Sequence, residues 1–252
     1  VPPAPATAAP TEQEGYIELS DGTGLRYTLL LPEGTDGPVP VALQYSGYNP
    51  GNDALDRSLT TLGPPLLERG IAVMGVNMRG TGCSEGTFHP FSEDWGRDGA
   101  EVVEWIGDQP WSTGDVAMLG TSYPALAAYA VAAERPDHLR AIVPMVPLAD
   151  AYRDVAWPGG IFNASFAMAW TVIQKYGTAY ALQEVAEGDT RCAAAIPTQN
   201  DPTDLTGVVA QTHPYLDSLD RYTAFLNPDR FAAIDVPVLT HTAWQDEQLG
   251  SR

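Results

Sequence analysis

Seven residues, Met118-Leu-Gly-Thr-Ser-Tyr-Pro124, decide the fold class of this chain. The apolar run Val116–Leu119 predicts a buried strand, and the Ala-rich run through Ala133 predicts a helix. A serine at a sharp turn between strand and helix is a nucleophile elbow, usually written Gly-x-Ser-x-Gly. The turn exposes the serine oxygen to a base, while the next N–H faces a developing oxyanion. Ser122 is therefore the candidate nucleophile; the alternative is an ordinary serine at a strand–helix turn.

Pro124 departs from this pattern, because it stands where the second glycine usually lets strand and helix pass closely. Proline is tolerated in the first turn of a helix, where its missing N–H would have no intrahelical acceptor. The N–H of Tyr123 remains present, so Tyr123 stays a candidate oxyanion donor.

Other segments around the elbow repeat its alternation of strand and helix. Nearly continuous apolar runs are typical of strands buried on both faces of a parallel sheet. Such strands are predicted at Val39–Leu43, Ile71–Val76 and Ala141–Pro144, helices at Leu55–Arg69 and Trp95–Gly107, and an antiparallel edge hairpin at Tyr16–Leu19 and Leu25–Leu31. The sequence thus predicts an α/β fold, with a mostly parallel sheet flanked by helices.

Composition divides the chain into four segments. Residues 1–14 are rich in Pro and Ala and are predicted to form a disordered or linker-like tail. Residues 15–147 carry the α/β core. Residues 148–235 lack strand runs and are rich in aromatics and Ala, which indicates an inserted helical cap. Residues 236–252 return to the core with a strand at Val236–Thr240.

Charge and composition exclude several classes of partner. The 252 residues contain 13 basic and 32 acidic side chains, a net charge of -19, so nucleic acid and anionic membrane surfaces would be repelled. No apolar run approaches the roughly 20 residues that a membrane span needs. No cluster of His, Cys and Asp has the spacing of a metal site, and no phosphate-binding loop is present. We therefore expect a small-molecule partner and no metal or cofactor.

The N-terminus and the cysteines bear on localisation. A start at Val1 followed by small residues is typical of a mature N-terminus after removal of a signal peptide, which predicts a secreted or periplasmic protein. Cys83 and Cys192 are the only cysteines. In an exported protein they could form one disulfide, or they could remain two unpaired thiols.

Several stretches, in order along the chain, resemble one family. They are Asn77-Met-Arg-Gly-Thr-Gly-Cys-Ser-Glu-Gly-Thr-Phe88, Glu104-Trp-Ile-Gly-Asp-Gln-Pro-Trp111, Gly120-Thr-Ser-Tyr123, Leu139-Arg-Ala-Ile-Val-Pro144, and Tyr152 with Gly159-Gly160. From about Gly15 to the end, the chain is similar to the cocaine esterase, X-Pro dipeptidyl-peptidase and α-amino-acid ester hydrolase family of serine hydrolases. Asn77 is one departure, because the family usually has Asp there.

The resemblance implies an α/β-hydrolase fold and several site residues. Asp246, in Val238-Leu-Thr-His-Thr-Ala-Trp-Gln-Asp246, matches the triad acid that would orient a histidine. Tyr48 matches a tyrosine whose hydroxyl joins the oxyanion hole, with Tyr45 as the alternative. Trp157 and Trp170 match indoles that line the acyl pocket, although both could simply form the core of the cap.

The family histidine would follow Asp246, and none does. All four histidines of the chain precede it, and His241 is the only one close by. The family also has a C-terminal β-sandwich, which is absent here, so we expect this chain to be a fragment whose histidine lies in a C-terminal piece or a second chain.

Three functions therefore remain open. The first is a serine esterase that works through an acyl-enzyme. The second is an X-Pro dipeptidyl-peptidase or aminoacyl ester hydrolase, which would need carboxylates to hold a substrate amine. Glu85, Asp150 and Asp154 are candidates for that role, although solvated carboxylates would look the same. The third is a non-catalytic binding module.

Overall fold

The computed structural model describes residues 10–34, 36–48, 51–52, 62–89, 91–147, 157–166, 169–170, 178–199 and 227–242. The strands are β1 Thr11–Glu18, β2 Gly24–Leu31, β3 Val39–Ser46, β4 Ala72–Asn77, β5 Ser112–Thr121 and β6 Leu139–Met145. The helices are α1 Gly63–Leu67, α2 Asp94–Gly107, α3 Tyr123–Glu134, α4 Thr178–Glu187, α5 Thr190–Ala195 and α6 Pro228–Ala233.

The six strands form one mixed sheet in the order β1-β2-β4-β3-β5-β6. β1, β2 and β4 pair in antiparallel fashion, whereas β4, β3, β5 and β6 are parallel. The chain leaves β3 for β4 on one side and then crosses to β5 on the other side. The loops after β3 and β5 therefore diverge at a topological switch point, where open α/β sheets usually bind their ligands.

The edge hairpin begins earlier than the sequence predicts. β1 starts at Thr11, which pairs with Leu31, so the last residues of the predicted 1–14 tail belong to the sheet. These first residues are polar and exposed, which is why the apolar pattern failed to reveal them. Backbone pairing with β2 extends an edge strand without requiring buried side chains.

α2 and α3 pack together on one face of the sheet. Val102, Val103 and Ile106 of α2 are fully buried, and burial of each such side chain stabilises the fold by about 1.5–3 kcal/mol. A Cβ atom at Gly99 would lie 2.3 Å from Cγ2 of Val131, so a glycine permits this close approach. The predicted Leu55–Arg69 helix appears as α1 over the residues described there.

In the sequence, Asp98 falls with Arg97, Glu101 and Glu104 on the charged side of the predicted helix Trp95–Gly107, which predicts that it faces solvent. The side chain is buried, and Arg79 donates to both of its carboxylate oxygens, at 2.7 Å and 2.9 Å. Burial raises the pKa of Asp98, and the guanidinium opposes that effect. The Arg79–Gly80 turn is therefore anchored to α2 by a partly desolvated ion pair, which periodicity alone cannot reveal.

The described part of the predicted cap contains helices and 3-10 turns. α4 and α5 lie against the edge hairpin and against the loop that follows β4. A disulfide joins Cys83 to Cys192, which resolves the alternative left open by the sequence. Arg191 also binds Glu18 and Glu85, and the hydroxyl of Tyr16 donates to Asp189 at 2.7 Å. This segment of the cap is thus fixed to the core.

The predicted strand Val236–Thr240 is present as two isolated parallel bridges to β6, Ile142 with Val238 and Met145 with His241. Pro144 of β6 has no N–H to donate to the carbonyl of Leu239, which interrupts a regular ladder between the two bridges. The segment nevertheless returns to the sheet beside β6, as expected. In the described ranges, no helix is long and apolar enough to cross a membrane.

Candidate active site

Ser122 lies between the end of β5 and the first residue of α3, with φ 69° and ψ -129°. A positive φ is uncommon for a residue other than glycine and costs about 1–3 kcal/mol, and such strained residues cluster at active sites. The Ser122 N–H donates to the carbonyl of Met145 at 3.0 Å, and the Ser122 carbonyl accepts from the N–H of Ala125 at 2.9 Å. These bonds to β6 and α3 hold the strained turn.

Gly120 provides the close passage of strand and helix at this turn. A Cβ atom at Gly120 would lie 2.5 Å from both the backbone carbon and the backbone oxygen of Pro124. Pro124 itself lies in the first turn of α3. The structure thus accommodates the departure from the usual motif, because one glycine before the serine is enough for the close contact.

Two candidate oxyanion donors meet at the switch point. Tyr123 begins α3, so its N–H belongs to the first helical turn, where the helix dipole is positive. Tyr48 follows the end of β3, and its N–H donates to Oγ of Ser46 at 3.0 Å. The rings of Tyr48 and Tyr123 pack edge to face with centroids 4.3 Å apart. The loop carrying Tyr48 and the elbow are therefore in direct contact.

Tyr45, the alternative to Tyr48, lies in the core. Its ring is 1% exposed, and a Cβ atom added to Gly99 of α2 would lie 3.0 Å from it. Burial raises the pKa of its hydroxyl, which has no hydrogen-bond partner among the described residues. A phenol enclosed between sheet and helix cannot reach a substrate, so the structure favours Tyr48.

Asn77 supports the loop that carries Tyr48. It is fully buried at the end of β4, and its amide oxygen accepts from the N–H of Gly51 at 2.7 Å. Its amide nitrogen donates to the side chain of Asn52 at 2.5 Å. The residue that departs from the family pattern therefore stabilises a loop, and β3 separates its strand from β5.

Aromatic rings cover the contact between the elbow and the loop after β3. Trp170 is 8% exposed, stacks on Phe91 at 6.0 Å and packs edge-on against Tyr123 at 5.7 Å. Trp95 lies 5.5 Å from Tyr123. Phe91 and Trp95 belong to no motif, so local sequence patterns do not reveal them as residues beside the site. Phe91 has φ 54°, a strained value for a bulky residue.

Trp157 is separate from this aromatic cluster in the part of the chain described. It is half-buried and packs on Phe162 with ring centroids 5.1 Å apart. The structure thus brings Trp170, but not Trp157, to the rings beside the elbow.

The described histidines lie in different parts of the molecule. His138 precedes β6 at the end of the sheet opposite Ser122, with Nδ1 3.0 Å from the carbonyl oxygen of Gly114. His241 lies at the same end as Ser122, but β6 separates its segment from β5. No hydrogen bond joins Ser122 to a histidine within the described ranges. His213 and Asp246 lie outside them.

Glu85, a candidate for holding a substrate amine, binds other groups. It accepts from Nε of Arg191 at 2.8 Å and from the N–H of Gly24 at 2.8 Å. Arg191 lowers the pKa of this carboxyl. Asp150 and Asp154 lie outside the described residues. Among the residues that are described, no group of three or more His, Cys, Asp or Glu side chains is arranged to hold a metal ion.

Comparisons with known proteins agree on one family. The sequence profile of the X-Pro dipeptidyl-peptidase (S15) family matches residues 21–251. The chain is 26% identical over 255 residues to cocaine esterase from Rhodococcus, covering 93% of this chain and 44% of that protein. It is 33% identical over 172 residues to a Mycobacterium tuberculosis protein whose name proposes a serine esterase, covering 62% of this chain and 27% of that protein.

A solved structure agrees with the fold. The crystal structure of a CocE/NonD family hydrolase from Staphylococcus aureus superposes with a TM-score of 0.69 and 26% identity, covering 89% of this chain and 39% of that one. The predicted α/β-hydrolase fold is thereby confirmed. The chain spans less than half the length of each of these relatives.

Proposed function

The chain belongs to the X-Pro dipeptidyl-peptidase (S15) family, and on that premise we propose that the protein it forms part of is a serine hydrolase that cleaves a carboxylic ester. The observation that carries the proposal is the strained Ser122 at the switch point of the sheet, packed beside the loop of Tyr48. Strain of this kind is maintained where the geometry of a reactive side chain matters.

In the proposed reaction, Oγ of Ser122 forms a bond to the ester carbonyl carbon while a histidine takes its proton. The tetrahedral intermediate expels the alcohol, which receives that proton, and water then hydrolyses the acyl-enzyme by the same route. Asp246 would hold the histidine in the required tautomer. In α/β-hydrolases this histidine follows the acid in chain order.

The oxyanion would accept hydrogen bonds from the N–H of Tyr123 and from the hydroxyl of Tyr48. Each preorganised donor of this type lowers the barrier by about 3 kcal/mol. Support comes from the contact of the two tyrosine rings, which brings the loop of Tyr48 next to the elbow.

The aromatic cluster suits an apolar acyl group. Phe91, Trp95 and Trp170 present rings beside the elbow, and apolar walls with a few polar groups are the usual composition of a ligand site. Trp157 would line the pocket only from a more distant position of the cap.

Ester cleavage is favoured over release of X-Pro dipeptides by one observation. A peptidase of that type needs a carboxylate for the substrate amine, and Glu85, the one candidate among the described residues, is already bound to Arg191 and to the N–H of Gly24. Comparison of p-nitrophenyl esters with an Ala-Pro anilide separates the two activities. Turnover of the anilide alone would contradict the ester proposal.

Labelling of the full-length protein with a fluorophosphonate probe tests the nucleophile. We expect labelling that Ser122→Ala abolishes, together with at least a thousandfold loss of ester turnover. Ser112→Ala is a matched control at the opposite end of β5, where the hydroxyl accepts from the N–H of Gly114, and it should label normally. Absence of labelling in a folded wild-type protein would favour the non-catalytic binding module instead.

We also propose that the protein is exported, because a disulfide between buried cysteines is stable in an oxidising compartment. Alkylation of the protein in intact cells, before lysis, tests this proposal. Recovery of two modified cysteines would contradict it.

A further inference from the structure

Trp170 connects the predicted cap to the loop that follows β3. Its indole nitrogen donates a hydrogen bond to the hydroxyl oxygen of Tyr48 at 3.1 Å, across 122 residues of sequence. The resemblance treats this tryptophan only as a wall of the acyl pocket. The hydrogen bond gives it a second property, since it acts on an oxyanion donor.

The chemistry of the two groups determines the direction of this bond. An indole N–H is a donor only, whereas a phenol has one proton to donate and lone pairs to accept with. The Tyr48 oxygen therefore accepts, and its own proton points away from Trp170. A hydroxyl that accepts one hydrogen bond also becomes a stronger donor of the next one.

Neighbouring rings hold Trp170 in the orientation that this bond requires. Phe91 stacks on it with an interplanar angle of 21°, and Tyr123 contacts it edge-on. Phe91 keeps a positive φ, so the backbone bears strain at the residue that supports the indole. A buried, stacked indole loses no rotamer freedom on substrate binding, which is what preorganisation requires.

We propose that Trp170 is a positioning residue that orients and polarises the Tyr48 hydroxyl, so that its proton is presented to the oxyanion formed at Ser122. This inference rests on the proposed esterase function. Because Trp170 belongs to the predicted cap, the oxyanion hole is complete only when this part of the cap lies on the core.

The test replaces the N–H and keeps the ring, in the full-length protein. Placing 3-benzothienyl-alanine at position 170, which keeps both fused rings and replaces the N–H by sulfur, should lower kcat about three- to tenfold, the effect of one hydrogen bond, with KM changed less than twofold. Trp170→Phe, which also removes the pyrrole ring, should lower kcat at least as much. Trp111→Phe is the matched control, because this tryptophan packs on Trp105 beside the start of β5, at the end of that strand opposite Ser122. It should leave kcat within twofold.

A double-mutant cycle separates positioning from general packing. Tyr48→Phe alone should lower kcat by about 10²–10³-fold. With Tyr48→Phe present, removal of the indole N–H should have no further effect on kcat, because the group it acts on is gone. Independently of turnover, Tyr48→Phe should shift the NMR resonance of the Trp170 indole proton and leave that of Trp111 in place.

Two results would overturn the inference while the function stands. One is a kcat of the variants at position 170 equal to that of Trp111→Phe, and the other is a full, additive loss of kcat in the Tyr48→Phe background. A wild-type protein whose ester turnover does not depend on Ser122 would overturn the proposed function, and the inference with it.

Discussion

The disulfide between Cys83 and Cys192 makes a quantitative prediction about stability. The two cysteines close a loop of 109 residues, from the turn after β4 to α5 in the cap. Reduction removes this constraint, so the unfolded chain gains conformational entropy and the free energy of unfolding falls. In the chain-entropy relation, a loop of this length corresponds to about 5 kcal/mol at 25 °C.

The folded structure should survive reduction, because other contacts hold the same segment. Arg191 binds Glu18 and Glu85, and the side-chain amide of Gln199 donates to the carbonyls of Gly82 and Ser84 at 2.7 Å. The effect therefore lies mainly in the unfolded state. With an unfolding entropy of about 0.5 kcal/mol per degree for a chain of this size, the melting temperature should fall by about 9 °C.

Urea unfolding of the oxidised and the reduced protein measures the effect. For a denaturant slope of about 3 kcal/mol per molar, the midpoint should fall by about 1.5 to 2 M on reduction. The Cys83→Ser, Cys192→Ser double variant should unfold at the reduced midpoint and show no response to reductant. Mass spectrometry after alkylation must find two modified thiols in the reduced sample.

An unchanged midpoint in a sample that is fully reduced would refute this reasoning. It would mean that the loop is already constrained in the unfolded chain, or that the two cysteines are not bonded in the native protein. Recovery of two free thiols from the unreduced native protein would identify the second explanation.

Two further predictions concern the elbow and the edge of the cap. Gly120→Ala would place a Cβ atom 2.5 Å from the backbone of the first turn of α3, so we expect a loss of about 1–3 kcal/mol in unfolding free energy and loss of probe labelling, whereas Gly37→Ala, in open space, should change neither. Arg191 lowers the pKa of Glu85 below its ordinary 4.5, so this pair stabilises the fold above that pH and the stabilisation is lost as the pH falls through the folded-state pKa. Urea midpoints between pH 6 and pH 3 should therefore fall less steeply for Glu85→Gln than for wild type or for Glu33→Gln, at an exposed turn; equal slopes would contradict the assignment.

Local patterns predicted most of the elements that position the site. The elbow at Ser122 was predictable because a buried strand, a sharp turn and a helix are each encoded by neighbouring residues. The structure confirms β5, α3 and the parallel strands near their predicted positions. It moves the start of β1 to Thr11, since exposed polar residues on an edge strand carry no apolar signal.

Those local patterns did not predict contacts between residues that are distant in the sequence. Asp98 fits the polar face of α2, yet it is buried, because Arg79 arrives from another loop to bind it. Neither cysteine spacing nor composition selected between a disulfide and two thiols. Phe91 carries no motif, and only its strained backbone and its stack on Trp170 reveal its place beside the site.

The sequence by itself determined the identity of the candidate nucleophile and the alternation of strands and helices, because turn chemistry and hydrophobic periodicity act over a few residues. Only the tertiary structure decided that β3 lies between β4 and β5, and this order brings the loop of Tyr48 to the elbow of Ser122. It also decided that the indole of Trp170 binds that tyrosine. Strand order and cap contacts depend on the burial of surfaces far apart in the chain, and local sequence patterns do not encode which surfaces meet.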